Sequence, residues 1–111
     1  MQPDAWVTQM RKGLVDLCLL AALREKDDYG YAIIERLGRN PALVFSESTV
    51  YPALGRMARE GLLRTYRGQD GGGPARRYYT LSEDGHARYV AMAAYWSELS
   101  GAIEAIVASE R

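Results

Sequence analysis

The stretch SESTVYPALGRMAREGLLRTYRGQDGGGPARRYYTL, residues 46–81, decides the fold. It opens on Ser46, a residue type that caps helix starts by accepting from free backbone N–H groups. Val50, Leu54 and Met57 follow at helical spacing and predict a helix to about Glu60, with Gly61 placed as a C′ glycine. Pro52 is awkward inside such a helix because it removes one hydrogen bond and crowds the carbonyl four residues back. Either the helix starts near Tyr51, with Pro52 in its first turn, or its first turn is irregular. Leu62–Arg67 and Arg76–Leu81, rich in Tyr, Thr and Leu, flank the glycine-dense Gly68–Pro74. Two such segments around such a turn read as a β-hairpin.

Upstream, Trp6, Met10, Leu14, Leu17 and Ala21 recur at steps of three and four, predicting one helix over about 4–23. Val15, Cys18, Leu19 and Ala22 widen its apolar stripe, so it is buried on several sides. Arg24–Asp28 is a polar break from which Asp27 or Asp28 can cap the next helix. That helix covers about 29–39, with Ile33, Ile34 and Leu37 inward, and Asn40–Pro41 ends it. Downstream, Ser82 caps a long helix to about Ser109.

Three helices, a hairpin and one long helix make a mainly α fold with a small β-hairpin. This is a winged helix-turn-helix with a long C-terminal dimerisation helix. On this plan residues 1–81 are expected to form a winged-helix DNA-binding domain with its N-terminal helix, and residues 82–111 a dimerisation helix, within one compact unit. A length of 111 residues suits one domain.

Net charge is zero, so any electrostatic case for nucleic acid has to be local. It is local: residues 56–77 hold six arginines (56, 59, 64, 67, 76 and 77) against Glu60 and Asp70, and the rest of the chain balances them with negative charge. On the third helix Ser48, Pro52, Arg56 and Arg59 fall opposite the apolar stripe, near Gly55. A face with two guanidiniums, a hydroxyl and little bulk can enter a major groove. Ser46, Thr49 and Tyr51 flank it with hydroxyls for phosphates, and Arg76 and Arg77 lead out of the wing tip toward the minor groove or backbone. The expected partner is therefore double-stranded DNA. The alternative is a winged-helix module that binds protein and needs no basic face.

In the last helix Tyr89, Met92, Trp96, Leu99, Ile103 and Ile106 alternate in steps of three and four, the period of a coiled-coil seam. With Leu14 they form the expected homodimer interface. Trp96 reads as an interface aromatic, or as a platform for a planar effector, with Trp6, Met10 and Met92 as companions.

Signs of other chemistry are weak. Cys18 is the single cysteine, in an apolar helix, which suits a reducing compartment and a core position. His86 is the single histidine and cannot supply a structural metal set. The glycine-rich tip lacks the Lys-Ser/Thr ending of a phosphate loop. No catalytic residue, metal or cofactor is expected. The start Met1–Asp4 lacks the basic lead of a signal peptide, and the apolar run 14–23 is too short for a bilayer, so a cytoplasmic protein is expected.

Four motifs in order resemble the PadR family of bacterial regulators, across about residues 10–107. Lys12-Gly13-Leu14 is similar to the family's lead-in to its first helix, and Tyr29-Gly30-Tyr31 to its second-helix signature. Ser46 to Leu54, followed by Met57 and Glu60-Gly61-Leu62, resembles its recognition helix. Gly73, Arg76-Arg77-Tyr78-Tyr79, Leu81 and Gly85 resemble its wing. Gly55 departs from the pattern, which often has a basic residue there. The resemblance implies a dimeric repressor held by both terminal helices. It also implies inverted-repeat operators, often of the ATGT…ACAT type, and release by a small molecule. Some short members hold planar aromatic compounds between tryptophans of the final helix, and Trp96 falls at the matching place.

Overall fold

The computed structural model describes residues 4–69 and 71–109. Met1–Pro3, read as a start without a leader, and Asp70 of the wing tip lie outside the described residues. The order is α1 (Ala5–Lys12), α2 (Val15–Glu25), β1 (Asp28–Tyr29), α3 (Gly30–Gly38), a 3₁₀ turn (Pro41–Leu43), α4 (Glu47–Arg59), β2 (Leu63–Gly68), β3 (Arg76–Leu81) and α5 (Glu83–Ser109). The strands form one antiparallel sheet in the order β1-β3-β2.

The core lies where α2, α3 and α4 meet the sheet. Leu19, Leu20, Ile33, Val50, Leu54 and Met57 are sealed from solvent, with Leu63 and Tyr79 closing the sheet side. Burial of such side chains contributes about 1.5–3 kcal/mol each, so these helices and strands fold as a unit.

The expected single helix over 4–23 is corrected to two. The stripe continues in sequence, but the chain turns at Gly13–Leu14, where Leu14 N–H donates to the Arg11 carbonyl and α2 begins at Val15. Helical periodicity cannot register a break of two residues that keeps the phase. The two pieces differ in burial: α1 has no buried residue, whereas α2 buries Val15, Leu19, Leu20, Ala22 and Leu23.

The expected cap by Asp27 or Asp28 is also corrected. Tyr29 occupies the N-cap position of α3 and contributes no side-chain bond. Buried Asp28 instead accepts from Tyr29 N–H (3.0 Å) and from Arg36 (3.2 Å), which also donates to the Ala22 carbonyl (2.8 Å). Arg36 thereby ties α3 to the carbonyl end of α2. Asp28 and Tyr29 pair with Tyr79 and Tyr78 as a third strand beside the hairpin.

The close of α4 follows its sequence signal. Gly61 has φ +81°, its N–H donates to the Ala58 carbonyl, and Leu62 N–H reaches the Met57 carbonyl. This is a Schellman closure, which satisfies two of the helix's last carbonyls. It delivers Leu62 and Leu63 into the core at the start of the hairpin. Ser82 caps α5 as expected: its hydroxyl accepts from Gly85 N–H (3.0 Å) and donates to the Gly61 carbonyl (2.6 Å). One serine therefore joins the ends of α4 and β3 to the start of α5.

Candidate nucleic-acid interface

Helix α4 begins at Glu47, so Pro52 stands inside it and neither expected resolution of the Pro52 problem holds. The lost bond falls on the exposed side: Ser48, Thr49, Tyr51 and Pro52 all face solvent, while Val50, Ala53, Leu54 and Met57 face the core. The carbonyl that proline cannot serve is that of Ser48, where water or a ligand can reach it. Ser46 sits at the N-cap position without capping. Its hydroxyl joins those of Ser48 and Thr49, each at 3.0 Å, giving a small exposed hydroxyl cluster at the helix start.

The two arginines of this helix differ. Arg59 is exposed and has no carboxylate in ion-pair reach among the described residues. Arg56 is engaged: it donates to both oxygens of Asp16 (2.6 and 2.8 Å) and to Glu60 (3.3 Å). The Asp16 hydrogen bond and charge hold its guanidinium above the ordinary range. The expected ridge of two free guanidiniums is thus reduced at Arg56, because α4 turns that side chain toward the start of α2.

The wing stands beside α4. On its outer face Tyr66 stacks on Tyr78 at 5.5 Å, and Tyr29 meets Tyr78 edge-on at 5.5 Å. Arg76 lies 4.6 Å above the Tyr29 ring, an attractive cation–π geometry. Tyr66 donates to Asp27 (2.8 Å), a bond that holds its hydroxyl proton and pushes its pKa up. Arg64, Arg67, Arg76 and Arg77 are all exposed. Sequence reasoning pointed to Tyr51, Arg76 and Arg77 separately. The fold brings them to one cleft with Tyr29, Gly30 and Tyr79.

Away from this surface, α5 divides in two. Tyr89 and Met92, expected in the dimer seam, are half-buried against their own chain's core, and Arg24 sits 5.5 Å over the Tyr89 ring. Trp96, Leu99, Ile103 and Ile106 are exposed. Leu14 is half-buried at the α1–α2 turn. It lines an open groove of about 940 Å³ with Met10, Trp96, Leu99 and Ile103. A smaller adjoining cavity adds Leu17, Met92 and Tyr95. Of the four suggested effector contacts, the fold gathers Met10, Met92 and Trp96 around these grooves. Trp6, 63% exposed, lines neither.

Cys18 is half-buried, and burial pushes its thiol pKa up, which makes it a poor nucleophile. No helix of the described residues is long and apolar enough to cross a membrane.

Comparison with known proteins gives the surface its context. Residues 19–91 match the model of the transcriptional regulator PadR-like family. A PadR-like transcription factor from Bacteroides fragilis is 32% identical, covering 93% of this chain and 99% of its own, with a TM-score of 0.72. A PadR-like transcriptional regulator from Bacillus cereus superposes with a TM-score of 0.82 at 27% identity, covering 89% of this chain and 96% of its own. An uncharacterized protein from Lysinibacillus sphaericus is 27% identical over 95 residues, 84% of this chain and 87% of its own. The matched segment runs from the core of α2 through the recognition helix and wing into α5, and on that ground the chain belongs to the PadR-like family of transcriptional regulators.

Proposed function

We propose that this regulator is a homodimeric repressor that binds an inverted-repeat operator and releases it when a small planar molecule enters the groove beside Trp96. The observation that carries the DNA part is the pairing of α4's exposed polar face with the arginines of the wing. Ser46, Ser48, Thr49, Tyr51, Pro52 and Arg59 meet the major groove and its phosphates. Arg76 and Arg77 follow the backbone toward the adjacent minor groove. Arg56, already held by Asp16 and Glu60, braces α4 against α2 and joins the DNA only where a phosphate displaces Asp16.

The dimer part is supported by the apolar row Trp96, Leu99, Ile103 and Ile106, which its own chain leaves uncovered. A large exposed apolar patch on a small protein marks an interaction surface. A second copy laid along this row supplies two recognition helices, as palindromic half-sites about 34–36 Å apart require. The α1–α5 groove, with Met10, Met92 and Trp96, opens beside that row. An effector bound there would change how the two copies sit.

Footprinting the purified protein on DNA upstream of its own gene tests the reading by locating the operator. On that fragment Arg59→Ala lowers affinity by about 1–3 kcal/mol if Arg59 touches a base. Neutralising about eight phosphates gives a log–log salt slope near −7. A complex indifferent to salt and to Arg59→Ala would instead indicate a protein-binding module.

A further inference from the structure

The cleft between the start of α3, Tyr51 of α4 and Arg76–Arg77 of β3 has a volume of about 360 Å³. Its walls are lined with hydrogen-bond donors. Tyr79 is only 7% exposed, yet it lines the cleft and its hydroxyl has no hydrogen-bond partner among the described residues. No enclosed side-chain oxygen of those residues is left unpaired, so this hydroxyl opens into the cleft. The Tyr51 hydroxyl is likewise unpaired among them. Burial is the main cause that pushes its pKa up. Glu47 and Tyr79 add to the rise and Arg76 opposes it, so the phenol lies within reach of all three fields.

The floor of the cleft depends on Gly30. A Cβ there would stand 2.5 Å from Tyr51 Cε1, so only glycine lets the phenol lie across the start of α3. No side chain caps that helix, so its first-turn N–H groups keep their donor capacity at the cleft. Arg76 is held in place by the Tyr29 ring, which Tyr78 and Tyr66 support in turn. The arginine therefore loses little side-chain freedom when it meets a ligand. Glu47 is the acid whose field reaches Tyr51, and Asp28, the strand partner of Tyr79, is already held by Arg36, so Arg76 and Arg77 outweigh the acid at the cleft.

We propose that this cleft seats a single phosphate group, and that in the complex the group is a phosphodiester of the DNA backbone beside the groove that α4 enters. The proposal rests on the DNA-binding reading above and deepens it. Guanidiniums, phenol hydroxyls and a helix start converge from three walls, which suits a tetrahedral anion with acceptors in several directions better than a planar carboxylate. The seat fixes how far the wing stands from α4 on the duplex, a positioning task that carries no base information.

The test uses the full ¹⁵N-labelled chain, titrated in separate samples with inorganic phosphate and with a random-sequence duplex at low salt. The duplex is expected to shift the Gly30 and Tyr31 amide resonances. Tyr51→Phe with Tyr79→Phe is expected to weaken duplex binding about a hundredfold or more, because two hydrogen bonds to a charged group are lost while both rings stay. Tyr51→Phe alone, at an exposed ring, is expected to give about a tenfold loss and keeps the test open if the double variant misfolds. Unchanged amides and unchanged affinity in a folded variant would overturn the seat but leave the regulator reading standing. A shift with inorganic phosphate and none with duplex would make this a free-anion site and overturn the DNA source. A parent chain that ignores duplex altogether would overturn the reading beneath.

Discussion

Gly85 and Gly101 lie on the same helix in opposite surroundings. A Cβ added to Gly85 would overlap the Leu62 carbonyl oxygen, whereas one added to Gly101 meets nothing within 4 Å. The first half of α5 is thus part of the winged-helix body. Its start is pinned by Ser82 to Gly61, and Tyr89 and Met92 pack on the core. The second half extends past that body with its apolar side chains bare. A helix of 27 residues is about 40 Å long, and Gly85 is its sole buried residue. The molecule measures 53 × 36 × 22 Å, and its radius of gyration of 15.6 Å exceeds the roughly 13 Å of a compact chain this long. One helix therefore serves two purposes. Its first half is built into the body that carries α4 and the wing, and its second half carries the exposed apolar row that the proposed dimer covers.

Substitutions can break this contrast or sharpen it. The largest effect is expected at Gly85→Ala, where backbone has to move and no flexible side chain can yield. Thermal or urea unfolding should show a loss of about 3 kcal/mol or more, in the range reserved for core strain. A near-neutral result would mean that α5 is not locked to the Leu62 turn. Next is Ile103→Asp, on the bare half. It should leave the melting of the folded domain nearly unchanged while weakening self-association by about 2–4 kcal/mol, the cost of disrupting a central interface residue. DNA affinity should fall with it, since each half-site alone binds weakly. If association survived, the seam would lie elsewhere. The smallest effect is expected at Gly101→Ala, which lies away from the apolar row. The better helix former should raise stability by about 0.5–1 kcal/mol and leave DNA binding alone. A loss of association there would show that the partner approaches over the glycine face.

How much of this was legible in the sequence follows the same division between local and distant. The recognition helix, its Gly61 closure, the hairpin and the Ser82 cap are local devices, set by residues within a few positions of one another, and all four stand where the sequence predicts them. Ser46, whose hydroxyl bonds Ser48 and Thr49 and does not cap, and Pro52 inside α4 are local exceptions, and most of what else escaped the reading depends on partners far along the chain. Asp28 looked like a cap, but Arg36 and the Tyr79 strand claim it. Arg56 looked free, but Asp16, forty residues away, holds it. The α1–α2 turn keeps the apolar phase on both sides, so periodicity passes over it. The Tyr51–Tyr79 cleft is built from four elements, and nothing local marks a hydroxyl that the fold will leave unpaired. The apolar period of α5 was readable, but its division into a core half and a bare half depends on how far the body reaches along the helix.

The central claim is that the bare half of α5 is covered by a second copy of this chain, which thereby presents two recognition helices. Sedimentation equilibrium of the purified protein at micromolar concentration tests it most directly. The account predicts a species of about twice the 12.4 kDa chain mass, and its DNA complex should carry two chains per operator. A 12.4 kDa species that still binds its operator would contradict the account.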